Sequence, residues 1–326
     1  MPWNALNTIK NKKPAGGGVN WVTVGTGSPI ITSSDGLIWN AASSFGGLTT
    51  GYGVAYGKDG TGAELWVAVG AGSAIAKSSD GSSWKSADSS GGLIIGYGVA
   101  YGKDNTGAGL WVAVGTGSKI VKSTDGTNWS AAQSPYGNIG TKGWCVSYGN
   151  GIWIAGGDNT RIVRSINGTD WSAVTTIGNL GSNVYGVVYD NAKWLALGTS
   201  YGSSVVRSTD NGINWSSSAM NNNITENARA AAYGLIAGGS GSSRWVALGA
   251  GNGGNNVAIS ADGSDWSSAS NFLGFGSGRG IAYGNGKWIA VGESSQKMIW
   301  STTGGGWVAI SSLDGLTAGY CIAFKK

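Results

Sequence analysis

An apolar run that opens on Trp, followed by the motif Ser-x-Asp-Gly-x-x-Trp, recurs seven times along this chain. The run-opening residues are Trp21, Trp66, Trp111, Trp153, Trp194, Trp245 and Trp288, spaced by 45, 45, 42, 41, 51 and 43 residues. The motif tryptophans are Trp39, Trp84, Trp129, Trp171, Trp215, Trp266 and Trp307. At this period each repeat is one supersecondary unit that buries its apolar faces only against its neighbours. No composition shift divides the 326 residues, so the repeats predict one closed domain over 19–326 behind a tail at 1–18.

Residues 96–133 show the unit most clearly. GYGVAYG (96–102) alternates large and small residues and reads as a strand, and KDNTGAG is a turn. LWVAVG (110–115), KIVKST (119–124) and WSAA (129–132) read as three more strands, joined by Gly, Asn and Asp turns. Four short antiparallel strands per repeat predict the blade of a β-propeller. The chain enters at a second strand, NWVTVG (20–25), and runs into an unpaired first strand, GYCIAF (319–324). Joining the two predicts an all-β, seven-bladed propeller in which the C-terminal strand completes the first blade. That closure removes the exposed edge that an open repeat array would leave.

The repeated motif resembles the Asp-box (BNR-type repeat) of the sialidase-like propeller superfamily. Residues 208–215, S-T-D-N-G-I-N-W, match its full form S-x-D-x-G-x-x-W, and the other copies are one residue shorter. The resemblance spans about residues 19–324 and implies a structural turn between third and fourth strands, on the edge away from the ligand face. Physics supports that role: an Asp carboxylate accepts backbone N–H groups, Gly supplies a positive φ, and Trp pins the turn to the sheet. Two copies depart, with Asn167 in place of Asp and Thr303-Gly304 in the last. Both blades are expected to close with slightly weaker turns.

Composition narrows the chemistry. The chain has no His, which removes His-based triads and imidazole acid–base catalysis. Its two cysteines, Cys145 and Cys321, cannot make a Cys-based zinc site and fall at one repeat position in distant copies. They are expected to be free, buried thiols. Most acids sit in the box turns (Asp35, Asp80, Asp125, Asp210, Asp262), leaving few for the paired carboxylates of glycoside hydrolysis. Sialidases place three arginines around the substrate carboxylate. Here there are six Arg in all, and Arg164 and Arg207 lie just before Asp-boxes, on the wrong edge. The net charge of +5 is not gathered into a basic face, so nucleic-acid binding is not expected. No apolar run is long enough to span a membrane and no signal-peptide core is present, so a virion or cytoplasmic location is expected.

Aligned first strands carry Tyr52, Tyr97, Trp144, Tyr185, Arg229, Arg279 and Tyr320 at their second position. At the channel mouth these would form a ligand-binding ring that stacks on sugars and pairs with a carboxylate or phosphate. Alternatively they wedge adjacent blades apart. Lys77, Lys122, Arg164 and Arg207 precede the box serine in blades 2 to 5 and read either as a basic arc or as solvated edge charges. Apolar residues in the long connections (Leu93-Ile94-Ile95, Ile177, Leu180, Met220, Ile224, Phe272-Leu273-Gly274-Phe275) either form a docking patch or pack over the blade tops. The segment Trp3-Asn4-Ala5 echoes a fourth strand and reads as a degenerate strand, a docking arm or a tail.

The sequence therefore reads as a non-enzymatic binding or assembly propeller, with protein partners expected, a glycan as the alternative ligand, and no cofactor or metal. Near-identical blades with low charge and Gly/Ser-rich turns resemble Asp-box repeat proteins of viruses and phages, which implies a virion-surface or decoration role. The alternatives are a lectin-like propeller and an assembly factor similar to the photosystem II assembly propellers.

Overall fold

A computed structural model describes residues 18–117, 119–133, 139–200, 204–218, 224, 226–238, 241–250, 256–269 and 274–325. The tail with Trp3-Asn4-Ala5 lies outside them, as do Met220 and Phe272-Leu273. Every regular element among the described residues is a β-strand.

There are five four-stranded antiparallel sheets, and a nine-stranded sheet holds two more four-strand units joined by the single pairing of Thr199 with Asn227. Seven inner strands result: Leu316–Phe324, Leu48–Lys58, Leu93–Lys103, Gly143–Gly149, Leu180–Asp190, Asn227–Leu235 and Gly278–Gly284. Each contacts the next, and the last contacts the first, so the units close into a ring. This is a β-propeller. The first blade is closed by the C-terminal strand, with Trp21 opposite Phe324 and Val24 opposite Cys321. Asp314 clasps the same seam: its Oδ2 accepts the Ala41 N–H at 2.8 Å, and its carbonyl accepts the Ser28 hydroxyl at 2.9 Å.

Burial explains the strand compositions. The second and third strands of each blade are covered on both faces, as in Trp66–Gly70 and Ile75–Ala76, because a neighbouring blade lies on either side. The fourth strands are mostly two residues long and exposed, such as Lys85–Ser86 and Ser130–Ala131, which leaves little edge for another chain to pair with. Apolar clusters bridge neighbouring blades: Leu65, Val67 and Ile75 pack with Val99, Trp111 and Trp129, and at the seam Trp21 and Trp39 pack with Ile289, Val291 and Met298. Each run-opening Trp also meets an inner-strand aromatic directly opposite, for example Tyr56 at 4.8 Å and Tyr101 at 4.9 Å between ring centroids. Burying one such Trp removes about 150–250 Å² from water, worth about 4–6 kcal/mol of transfer free energy.

The box motif forms a tight hydrogen-bonded turn. Asp80 Oδ1 accepts the Ser78 hydroxyl (2.9 Å) and the N–H groups of Ser82 (2.8 Å) and Ser83 (2.7 Å), while Gly81 N–H donates to Ser78 Oγ. The indole of Trp84 donates to the Gly81 carbonyl at 2.8 Å and closes the turn. Asn167 reproduces the pattern, accepting from Thr169 and Asp170 N–H at 2.9 Å each. Thr303 accepts from Gly305 and Gly306 at 3.3 and 3.4 Å, the longer bonds expected of the weaker copy. The Ser of each box pairs across from the Trp that starts the second strand, as Ser78 does with Trp66. The boxes therefore sit toward the opposite end of the strands from Tyr52 and its equivalents in the other inner strands.

On that face the basic residues latch blades together. Lys77 Nζ donates to Thr127 Oγ1, Lys122 Nζ to Thr169 Oγ1 at 2.7 Å, and Arg164 Nε to the Asn211 carbonyl at 2.9 Å. Each acceptor belongs to the box of the following blade. These three charges are engaged with neighbouring turns rather than arrayed for a polyanion, while Arg207 lines a pocket beside its own box turn.

Candidate functional site

In every blade the inner-strand residue aligned with Tyr52 is the extra residue of a β-bulge. Gly51 pairs with Gly70 and Gly53 with Val69, which leaves Tyr52 without a partner across the sheet. The same slip leaves out Tyr97, Trp144, Tyr185, Arg229, Arg279 and Tyr320. A bulge re-aims its extra side chain, and here all seven turn to the channel mouth. The next residue must be small because inner strands nearly touch there. A Cβ on Gly53 would lie 2.9 Å from the Tyr97 carbonyl oxygen, and one on Gly98 would lie 3.0 Å from Cys145 Cα. Cys145 and Cys321 occupy this same small-residue position, which explains why they recur at one place in the repeat.

The seven residues are half-buried and line one cavity of about 390 Å³ together with Glu293. Ring centroids are separated by 5.4 Å (Tyr320–Tyr52), 5.3 Å (Tyr52–Tyr97), 4.7 Å (Tyr97–Trp144) and 5.8 Å (Trp144–Tyr185). The guanidinium of Arg229 lies 4.7 Å from the Tyr185 centroid, and that of Arg279 lies 5.9 Å from Tyr320. Tilted rings and cation–π contacts thus join into a wreath broken only between the two arginines. Each ring leans on a ring or guanidinium of the next blade while also facing the cavity, so the wedge and the mouth describe the same side chains. A second cavity of about 220 Å³ follows the channel beneath the wreath.

Two acids that the strand alignment did not pick out shape this mouth. Asp158 accepts the Trp144 indole N–H at 2.8 Å and the Lys142 N–H at 3.0 Å, and also bonds Thr141, which fixes the indole. Glu293 pairs with Arg279, accepting its Nε–H at 2.8 Å. Both acids stand five residues after a run-opening Trp, where the other blades carry Thr26, Ala71, Thr116, Thr199 and Ala250. A charge at an otherwise Thr/Ala position was the available signal. All 16 acidic residues of the sequence lie among the described residues, and none of their side chains pairs with Arg229. Its Nε is buried without a hydrogen-bond partner. Burial and the positive charge of Arg279 hold its guanidinium below the usual arginine range. Burial also raises the Tyr97 and Tyr320 phenols, so they stay neutral hydrogen-bonding groups.

The thiols are free. Cys145 is buried, with Sγ 3.4 Å from the Val184 carbonyl, and burial pushes its thiol up to about 12. Cys321 is only partly buried overall, a small departure from expectation, because its strand borders the channel. Of the described apolar side chains in the connections, Leu93, Leu180, Ile224 and Phe275 are buried over the blades, and Ile94 alone stands mostly exposed at 67%. The described part of that set packs down rather than forming a patch. Among the described residues no cluster of His, Cys, Asp or Glu could hold a metal ion.

No protein-family model and no curated protein sequence matches the chain. Solved structures do. YCF48 bound to a D1 peptide is 15% identical over 91% of this chain and 86% of that one, with a TM-score of 0.54. YCF48 from Cyanidioschyzon merolae is 16% identical over 82% of this chain and 85% of that one, at 0.55. The GH74 xyloglucanase from Xanthomonas campestris is 15% identical over 89% of this chain but only 43% of its own length, at 0.54. At these identities the likeness establishes the propeller fold and nothing of the site.

Proposed function

We propose that this chain is a non-enzymatic binding propeller that holds a segment of a partner protein in its channel mouth, in the manner of an assembly factor. The observation that carries this reading is the wreath itself. Seven bulged side chains from seven blades converge on one cavity, offering aromatic rings, neutral phenols and an unpaired guanidinium. Aromatic and Arg anchors around a depression are the residue types that dominate protein recognition. The similar fold of YCF48, described in complex with a D1 peptide, supports looking for a peptide ligand. The virion-surface role has no supporting observation beyond the sequence resemblance.

Catalysis is not part of the reading. Of the two acids at the mouth only Glu293 lines the cavity, tied up by Arg279, and Asp158 is held by Trp144 and Lys142, where glycoside hydrolysis needs a free pair. A glycan is the second reading, favoured by the five rings. Against it, each ring contacts its neighbour at 4.7–5.8 Å, which leaves less open face for a sugar.

Selection of a random peptide library on the immobilised chain tests the proposal. Peptides should be enriched whose binding falls at least about tenfold with Trp144→Ala or Tyr97→Ala, the loss typical of an aromatic anchor. Enriched peptides indifferent to both substitutions, or hits on a glycan array that depend on them, would overturn it.

A further inference from the structure

The mouth is electrically lopsided. Two adjacent blades place Arg229 and Arg279 at the break in the wreath, yet only Arg279 has a carboxylate partner. Both guanidinium groups are held against tyrosine faces, Arg229 4.7 Å from the Tyr185 centroid and Arg279 5.9 Å from that of Tyr320. Stacking restrains a guanidinium without using its N–H donors, so the Arg229 fork remains open to an acceptor. A half-buried cation with no carboxylate in contact gains when an anion reaches it, although Glu293 already attracts it at a distance. The internal Glu293 lines the same cavity and sets a limit on that anion. One negative charge satisfies Arg229, whereas a second would meet Glu293 and gain nothing from the neutralised Arg279.

Resting on the protein-binding reading above, we infer that the mouth recognises a single carboxylate flanked by an aromatic or apolar group, that Arg229 is its seat, and that Glu293 excludes dianions such as phosphate esters. The carboxylate comes from an acidic side chain or from a chain terminus, since both present the same planar, bidentate acceptor. Aromatic neighbours at Tyr185 and Trp144 provide the surface for the flanking group.

Ligand-observed NMR titration of the intact chain with four small probes tests this. N-acetylphenylalanine supplies a terminal carboxylate, N-acetylglutamylphenylalanine amide a side-chain carboxylate, N-acetylphenylalanine amide no charge, and phenyl phosphate a dianion. At least one carboxylate probe should bind about tenfold or more tighter than the amide, the gain of a charge-assisted bidentate pair. Which of the two does so identifies the source. Arg229→Gln should erase the difference, with Arg229→Lys intermediate and the thermal unfolding midpoint of each variant confirming that the ring is intact. Glu293→Gln, which also frees Arg279, should strengthen phenyl phosphate about fivefold or more and the carboxylate probe by clearly less. Absence of carboxylate binding, an amide that binds equally well, an effect of Arg229→Gln no larger than that of Arg229→Lys, or phosphate bound as tightly as carboxylate by the unaltered chain would overturn the inference. Library peptides that depend on Trp144 but carry no acidic group would overturn it too, and would leave the protein-binding reading standing.

Discussion

Replacing Asp80 separates the hydrogen-bonding role of the box from its charge. Asp80 Oδ1 accepts one hydroxyl and two backbone N–H groups at 2.7–2.9 Å. Each such bond contributes about 0.5–1.5 kcal/mol net, and water reaches part of this exposed turn, so Asp80→Ala should cost about 1–2 kcal/mol. Asp80→Asn should cost under about 1 kcal/mol, because one acceptor oxygen is retained. The chain carries its own control, since Asn167 already makes the same two N–H bonds at 2.9 Å in blade four. In a domain of this size 1 kcal/mol moves the thermal midpoint by about 2 °C, so calorimetry should show a drop of about 2–4 °C for Ala and under 2 °C for Asn. Equal losses for the two substitutions would refute the acceptor argument and point to charge. No loss for either would refute the claim that the box holds the turn.

Acid should loosen the ring from its box face. The Asn214 N–H and the Ser208 hydroxyl bring the Asp210 carboxyl down to about 2, and N–H donors likewise lower Asp262. A folded value below the unfolded one of about 4 means that the stabilisation is full above pH 4 and is lost as pH falls from there toward 2. Urea midpoints measured from pH 6 to pH 2 should decline over that window, and a flat profile would contradict the assignment. Cys145, its thiol raised to about 12 by burial, should resist alkylation at pH 8 until denaturant is added; mass spectrometry of the native chain reads this directly. Gly102→Ala should destabilise by about 1–3 kcal/mol, because the new Cβ would fall 2.2 Å from Tyr148 Cγ of the next blade. A thermal midpoint within 1 °C of the original would show that the blades can separate freely.

The ring was legible because one unit is written seven times, and an ambiguity in one copy is resolved by its neighbours. Even the missing first strand could be located, since GYCIAF matched GYGVAYG at the other end of the chain. Tyr52, Tyr97, Trp144, Tyr185, Arg229, Arg279 and Tyr320 were found by the same alignment. The bulge that turns them inward was not, because it is a register slip against the partner strand and leaves no residue of its own in the pattern. Glu293 and Asp158 were missed because they depart from the repeat, and a reading built on repetition discounts single substitutions. Nor could the sequence distinguish the two arginines. Whether each has a partner depends on the end of a second strand that carries Glu293 in one blade and Ala250 in the other. Basic residues stand ahead of four consecutive boxes, and only the contacts of Lys77, Lys122 and Arg164 with the following blade reveal those three as latches.

The measurement closest to the central claim is a crystal structure of the chain with a library-selected peptide. Peptide density is expected inside the wreath, in contact with Tyr97 and Trp144. Density on the outer edge of the blades or over the box turns, with the mouth unchanged, would contradict it.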